Sequence, residues 1–258
     1  MDLETKLRAV FAEFCRRKTD RKVSHLRIEA PDCWHLAISF ELAGQGEFRM
    51  RNLREGDAPC LVAFGKQLSE ASRDLFCPYP WGDPNRLEPA LTQAISNATN
   101  RIDASYLLEH DCNPIGQFFL WKAGANPHSL QHDLEVSELG IAVADAYQGR
   151  GLGGLMLRVL LALAHHLGAD AVELTTALSN EMGRKLYLNA GFKCTGVIYH
   201  PLEVDVTAAT AGDIQATKYR DEWQMVCVVN KQETEAIENY LALKRAAADK
   251  MRVGRSGD

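Results

Sequence analysis

A run of glycines near the middle of the chain has the residue types and spacing to bind a phosphate group. The run is Gln148-Gly149-Arg150-Gly151-Leu152-Gly153-Gly154. Apolar periodicity predicts a strand over 134–143 just before it and a helix over 152–167 just after it. Glycine allows close backbone approach, and the first amides of a helix have no partner within the helix. Because the helix dipole also favours negative charge there, we expect these amides to bind a pyrophosphate.

The strand before the glycines carries a carboxylate where an apolar residue is expected. Leu134 and Val136 occupy even positions, yet Glu138 follows and the apolar series resumes at Leu139. An inserted residue, a β-bulge, would cause this change of phase, and bulges redirect side chains beside active sites. A change of pairing at the strand end is the simpler alternative.

Two other phosphate-binding motifs are alternatives to this interpretation. No Lys-Ser or Lys-Thr follows the glycines, which excludes a P-loop. Gly149, Gly151 and Gly154 match G-x-G-x-x-G, and Glu173 follows at about the 20 residues expected for a ribose-binding acid. However, residues 144–148 separate the strand from the first glycine, and too few strand–helix units follow for a dinucleotide domain. An NAD-binding protein therefore stays only as a minor alternative.

Composition narrows the class of protein. The net charge is −5 and no long Lys/Arg run occurs, which argues against a nucleic-acid partner. Seven irregularly spaced cysteines without a C-x-x-C motif are typical of reduced thiols, so we expect a cytoplasmic protein. The histidines form no metal-ligand motif, and we expect no metal. Arg158 interrupts the most apolar segment and the first residues are polar, so we expect neither a membrane span nor a signal peptide.

The remaining periodicity predicts an α/β (α+β) protein in three parts. Residues 1–46 form an N-terminal appendage, with an amphipathic helix over 3–17 and a β-hairpin, which packs either on the sheet or on a second copy in a homodimer. Residues 47–230 form the main domain, and residues 231–258 a C-terminal helix and tail. Within the main domain we expect Ser179 to cap a helix and residues 201–218 to form a loop.

Two motifs together resemble the GNAT acyltransferase superfamily. Gln148-Gly149-Arg150-Gly151-Leu152-Gly153 is similar to its Q/R-x-x-G-x-G/A motif, and Asn180, Tyr187 and Gly191-Phe192 fit its second motif. The resemblance is good from Leu134 to Phe192 and weak before Leu134. It implies a central mixed, mostly antiparallel sheet with a bulged and splayed central strand, flanked by helices.

The resemblance also implies acetyl-CoA as co-substrate. Its pyrophosphate would be bound by the backbone from Gln148 through Gly149, Arg150, Gly151, Leu152 and Gly153 to Gly154. Its pantetheine arm would pair with the splayed strand at Leu139, Ile141 and Val143, and Asn180 would contact the coenzyme from the other side.

The reaction implied by the resemblance is transfer of an acetyl group to a primary amine by direct attack. Glu138, at the change of phase, is the candidate general base, with a structural ion pair as its alternative. Glu135 is the fallback. Tyr187 corresponds to the family's general acid, with a packed core tyrosine as its alternative.

The amine acceptor, a small molecule or a protein, is expected to lie near the family's first helices. Arg73, Tyr79 and Trp81 are the candidate contacts, although the aromatic loop over 76–81 could equally cover the edge of a core. Two further classes of protein stay open: a non-catalytic CoA-binding module and an interaction protein that uses the appendage.

Overall fold

The structure is a computed structural model that describes residues 2–17, 22–42, 45–122, 134–204, 216–230 and 234–254. Its helices are α1 (Leu3–Arg17), α2 (Ala58–Lys66), α3 (Glu70–Leu75), α4 (Pro84–Thr99), α5 (Leu152–His166), α6 (Glu181–Ala190) and α7 (Thr234–Gly254). Its strands are β1 (Val23–Glu29), β2 (Ala37–Leu42), β3 (Glu47–Asn52), β4 (Ala104–His110), β5 (Asn113–Lys122), β6 (Val136–Val143), β7 (Ala171–Ala177), β8 (Lys193–Val204) and β9 (Ala216–Val228).

The described strands form a nine-stranded sheet in the order β1-β2-β3-β4-β5-β6-β7-β9-β8. Strands β6 and β7 run parallel, whereas every other neighbouring pair runs antiparallel. The predicted mixed, mostly antiparallel sheet flanked by helices is confirmed.

The N-terminal segment joins this sheet instead of standing apart from it. Strand β2 pairs with β3, so the β1–β2 hairpin extends the sheet at one edge. Helix α1 buries Leu3, Leu7, Phe11 and Phe14, and the rings of Phe11 and Phe40 lie 5.1 Å apart in an edge-to-face contact. Residues 1–46 as a unit of their own stay a prediction.

Strand β6 gives a different reason for the change of phase at Glu138. Its register with β5 advances one residue at a time from Lys122↔Ser137 to Gly116↔Val143, so the predicted bulge is wrong for this pairing. Instead, the two halves of β6 are covered on opposite faces. Val136 belongs to a cluster with Ile237 and Tyr240 of α7, whereas Leu139 and Val143 belong to the cluster that contains α5.

The predicted splay of β6 is present. Strand β6 pairs with β7 at Val136↔Ala171, Ser137↔Val172 and Glu138↔Glu173, and the paired positions end there. The rest of β6, up to Val143, therefore leads away from β7 and leaves a gap between the two strands.

Two local predictions are corrected. Residues 201–204 and 216–218 of the predicted loop are strand, because β8 and β9 pair out to Val204↔Ala216 and this cross-strand pairing outweighs the weak apolar alternation there. The part of that loop over 205–215 lies outside the described residues. Helix α6 is capped by Asn180 and not by Ser179, since the Asn180 side chain accepts a hydrogen bond from Gly183 N.

Candidate functional site

A cleft of about 790 Å³ opens where β6 parts from β7. It is bounded by β6, by the N-terminal end of α5, by α6 and by the loop after α3. Most of the residues predicted from the sequence to act in the site line it: Glu138, Leu139, Ile141, Val143, Gln148, Gly149, Gly151, Gly153, Gly154, Asn180 and Tyr187. The fold thus brings both sequence motifs to one cavity.

The backbone at the start of α5 presents open amide groups to this cleft. Gly149 and Gly151 have φ of 73° and 92°, values that glycine adopts without strain, and Gly151 is the N-cap. The first helical hydrogen bond runs from Leu155 N to Gly151 O. Within the described residues, the amides from Arg150 to Gly154 donate to no backbone carbonyl, so they are free to bind an anion.

The amide of Gln148, in contrast, is already used. It donates to Asp145 O at 3.2 Å. The Gln148 side chain also stabilises the loop between β6 and α5, because its Nε2 donates to Val143 O and to Asp145 Oδ1 at 3.0 Å each. Gln148 therefore supports the turn between β6 and α5, and the amides that follow it are better placed for a ligand.

Two residues of the motif keep their side chains away from the cleft lining. The Arg150 guanidinium donates to Ala146 O at 2.8 Å and to Gln45 Oε1 at 3.1 Å, and it lies 4.9 Å from the centre of the Tyr147 ring. The Leu152 side chain is buried. Only their backbones can take the predicted role.

Asn180 closes the opposite wall of the cleft. Its Oδ1 accepts from Gly183 N at 2.9 Å, and its Nδ2 donates to Thr176 Oγ1 at 2.9 Å. The side chain is therefore held between the end of β7 and the first turn of α6, and it faces the cleft in a fixed orientation.

Glu138 lies half-buried in the cleft, and it is the paired neighbour of Trp121 on β5. Burial raises the pKa of its carboxyl to about 7, and the negative charge of Glu173 acts in the same direction. A carboxyl with a pKa near neutrality is suited to take a proton and release it again at physiological pH. Glu135, the fallback, is exposed and lies outside the cleft lining.

Tyr187 lies on α6 with its ring 5.7 Å from that of Phe192. The residue is buried, and burial raises the pKa of its hydroxyl to about 12. The phenol therefore keeps its proton at neutral pH and can donate it or share it in a hydrogen bond. It packs as a core tyrosine does and also lines the cleft.

The structure places the three predicted acceptor contacts outside the cleft lining. The Arg73 guanidinium donates to Gly65 O at 3.0 Å, and Trp81 Nε1 donates to Phe76 O at 2.9 Å. Tyr79 is buried and its hydroxyl accepts from Gln117 Nε2 at 2.5 Å. These side chains hold the loop after α3 against the core, because their polar atoms find partners there.

Sequence reasoning missed the side chains that wall the cleft on the other side of Glu138. Phe119 and Trp121 of β5 stack with ring centres 4.0 Å apart, and both line the cleft with Glu222 and Arg220 of β9. The Arg220 guanidinium binds Glu222 Oε1 at 2.5 Å and Asp74 Oδ2 at 2.7 Å. The alternation of the two aromatic residues Phe119 and Trp121 was the signal available in the sequence.

Glu173, the ribose-binding acid of the NAD alternative, is occupied elsewhere. It lies inside β7 and is buried, and its Oε2 lies 2.6 Å from Lys244 Nζ. The sheet contains a single parallel pair within the described strands, unlike the parallel sheet of a dinucleotide domain. The NAD alternative is therefore set aside.

The described residues contain neither a metal-binding cluster nor a membrane-spanning helix. No group of three or more His, Cys, Asp or Glu side chains there is arranged to hold a metal ion. Among the helices described, none combines the length and the apolar content needed to cross a bilayer.

Comparison with known proteins is consistent with this geometry. The family model "Acetyltransferase (GNAT) family" matches residues 68–192. No curated protein sequence matches the chain.

Solved structures share the fold at low sequence identity. An N-acetyltransferase from Staphylococcus aureus Mu50 is 15% identical with a TM-score of 0.53, over 71% of this chain and 99% of that one. The ribosomal-protein-S5-alanine acetyltransferase from Vibrio fischeri is 12% identical with a TM-score of 0.53, over 72% and 95%. Mycobacterium smegmatis RimJ, solved with CoA-disulfide, is 16% identical with a TM-score of 0.51, over 86% and 94%. Residues 68–192 therefore carry a domain that matches the GNAT acetyltransferase family, in a chain that shares the fold of these structures.

Proposed function

We propose that this protein transfers an acetyl group from acetyl-CoA to a primary amine by direct attack. The observation that carries the proposal is the pairing, in one cleft, of open amides at the start of α5 with a carboxyl whose pKa is about 7. The first can bind a pyrophosphate and the second can deprotonate an amine, and the match of residues 68–192 to the acetyltransferase family connects the two.

The cleft fits coenzyme A on grounds of shape and charge. The amides from Arg150 to Gly154 would bind the pyrophosphate. Gly153 and Gly154 carry no side chain, and beta carbons there would reach within 3.6 Å and 3.4 Å of Leu186, so glycine keeps the groove between α5 and α6 wide. The pantetheine arm would lie along Leu139, Ile141 and Val143, where β6 has left β7.

The proposed reaction needs a base and an acid at the thioester end of the cleft. The amine nitrogen forms a bond to the thioester carbonyl carbon, and its proton passes to Glu138, directly or through water. The bond from that carbon to sulfur then breaks, and Tyr187 donates a proton to the departing thiolate. A backbone N–H of β6 near Leu139 or Gly140 would stabilise the negative oxygen. No covalent enzyme intermediate is required.

The acceptor would approach from the side of Phe119 and Trp121. This wall combines stacked rings with the carboxylates of Glu138 and Glu222, a surface suited to an alkyl or aryl amine. Both a small molecule and a protein amine fit the class.

We also propose a cytoplasmic location, since all seven cysteines are free thiols.

The test has two arms. Calorimetry measures binding of coenzyme A and of NAD, and we expect coenzyme A alone to bind. Release of free thiol from acetyl-CoA is then measured with a panel of small amines and peptides, and we expect at least one amine to accelerate it. Binding without turnover on any amine would favour a non-catalytic CoA-binding module, and absence of CoA binding would overturn the proposal.

A further inference from the structure

A buried ion pair lies beside Glu138, outside the chemistry assigned so far. Glu173 Oε2 lies 2.6 Å from Lys244 Nζ and accepts a hydrogen bond from the Tyr240 hydroxyl at 2.5 Å. Glu173 and Lys244 are 2% and 0% exposed. The other oxygen, Glu173 Oε1, is buried and has no hydrogen-bond partner within the described structure.

Strand geometry places Glu173 next to Glu138. The two residues are paired positions on the parallel strands β6 and β7. Paired residues on neighbouring strands project to the same face of a sheet, and the strands lie about 4.8 Å apart. The two carboxyl groups therefore lie side by side, with Glu138 toward the cleft and Glu173 toward α7.

The contacts of Glu173 compensate for its burial. A carboxylate buried alone would take up a proton, because an apolar environment disfavours the charged form. The ammonium group of Lys244 and the hydroxyl of Tyr240 supply the compensation that burial removes. The Glu173 carboxylate is thus fixed beside its neighbour Glu138.

We propose that Glu173, held in place by Lys244 and Tyr240, is a positioning residue whose negative charge acts on Glu138. The proposal rests on the proposed function, in which Glu138 is the general base. It makes helix α7 part of the catalytic arrangement, although Tyr240 and Lys244 lie beyond the matched residues 68–192.

The charges around Glu138 agree with this role. After burial, the charge of Glu173 is the next largest cause that raises the pKa of Glu138, and Glu222 on β9 adds a smaller contribution. Glu222 is itself paired with Arg220. Lys244 acts in the opposite direction. On β5, the paired neighbour of Glu138 is the uncharged Trp121.

The experiment removes the charge of Glu173 and keeps the shape of its side chain. Glu173→Gln removes the negative charge beside Glu138, and we expect the pKa of Glu138 to fall by about one unit, the lower end for loss of a close like charge. The pKa is measured by carbon-13 NMR titration of the Glu138 carboxyl, whose signal is assigned by its loss in Glu138→Gln. The rising limb of kcat/KM against pH should move down by the same amount.

A second variant guards against a folding defect. Glu173→Gln leaves Lys244 buried without its counter-charge, so Glu173→Gln/Lys244→Met is made in parallel. This double variant removes both charges, and the pKa of Glu138 in it should lie between the value in wild type and the value in the single variant. Glu135→Gln is the matched control, because it makes the same change on an exposed residue just before β6, and the pKa of Glu138 should stay where it is.

The two readouts separate this proposal from the proposed function. A shifted NMR titration without turnover on any amine supports the role of Glu173 and refutes the reaction. An unshifted Glu138 titration in whichever of the two variants folds overturns the role of Glu173, whatever the activity.

Discussion

The ring of Phe119 lies over Gly140 so closely that a beta carbon on residue 140 would come 2.0 Å from Phe119 Cζ. The two residues are paired across β5 and β6. Phe119 in turn stacks on Trp121 and lies 6.1 Å, centre to centre, from the ring of Phe76. Glycine at position 140 therefore lets an aromatic wall close over β6 where that strand leaves β7.

Gly140→Ala should disturb this wall. The added methyl group cannot fit without displacing the Phe119 ring, so we expect a loss of about 1–3 kcal/mol in stability, as for other overpacked sites. In a Phe119→Leu background the smaller side chain leaves room, and Gly140→Ala should cost clearly less. The four proteins of this double-mutant cycle are compared by urea unfolding, and additive losses would show that the two residues do not interact.

Glu138→Gln should remove the rise of kcat/KM with pH that titration of the general base produces. Since the ionised carboxyl accepts the proton and its pKa is about 7, wild-type kcat/KM should rise with pH to half its maximum near pH 7. The variant should be slower by about 10²–10⁴-fold, with that rising limb flattened. Steady-state kinetics from pH 5 to 9 decides the matter, and an unchanged limb would remove Glu138 from the mechanism.

The same pKa has an effect on stability that is independent of catalysis. The folded protein holds the Glu138 proton up to about pH 7, whereas an unfolded glutamate loses it near its ordinary value, so wild-type stability falls as pH rises toward 7. Glu138→Gln has no such loss and should be the more stable protein at pH 8, by up to about 3 kcal/mol. Near pH 4 the two should be alike. Thermal unfolding at both pH values measures the difference.

Tyr187→Phe should lower turnover and leave coenzyme binding nearly intact. The hydroxyl, with its pKa raised to about 12, stays protonated throughout the working range, so its loss should reduce kcat by about 10²-fold at every pH. Because the ring remains packed against Phe192, the melting temperature should change little. Calorimetry with coenzyme A is the control, and wild-type turnover would return Tyr187 to a purely structural role.

Gly154→Leu should close the coenzyme groove. A beta carbon at residue 154 would reach ordinary contact with Leu186 at 3.4 Å, so Ala fits there and a longer side chain must extend into the cleft. We expect coenzyme A to bind at least about 10-fold more weakly to the Leu variant, a loss of about 1.4 kcal/mol or more. Gly154→Ala is the matched control with near-native affinity, and equal binding by both would place the coenzyme elsewhere.

Much of the fold follows from the sequence because local patterns decide it. The glycine run sets the start of α5, Gly168 and Gly191 end helices in the left-handed conformation, and the two strands of the N-terminal hairpin pair as expected. The candidate anion-binding amides at the start of α5 were recognisable for the same reason, since a helix start and its first amides are contiguous in the chain.

The features that could not be read from the sequence depend on contacts distant in the chain. The phase change at Glu138 suggested a bulge, yet it reflects two apolar layers, from α5 and from α7, on opposite faces of β6. Arg73, Tyr79 and Trp81 were chosen for residue type and loop position. Their hydrogen bonds with Gly65, Gln117 and Phe76 appear only once the loop is folded. The position of Phe119 and Trp121 beside Glu138 follows from the register between β5 and β6, which the sequence does not show.

The order of the last strands has a consequence for synthesis of the protein. Strand β9 lies between β7 and β8, so β8 touches the sheet through a strand that the ribosome makes after it. Until β9 has emerged, the nascent chain carries an open edge on β7, and β8 has no place to dock. Such an edge can pair with strands of other chains. A nascent chain that ends before β9 therefore carries an edge on β7 that other chains can pair with, and the completion of β9 covers it.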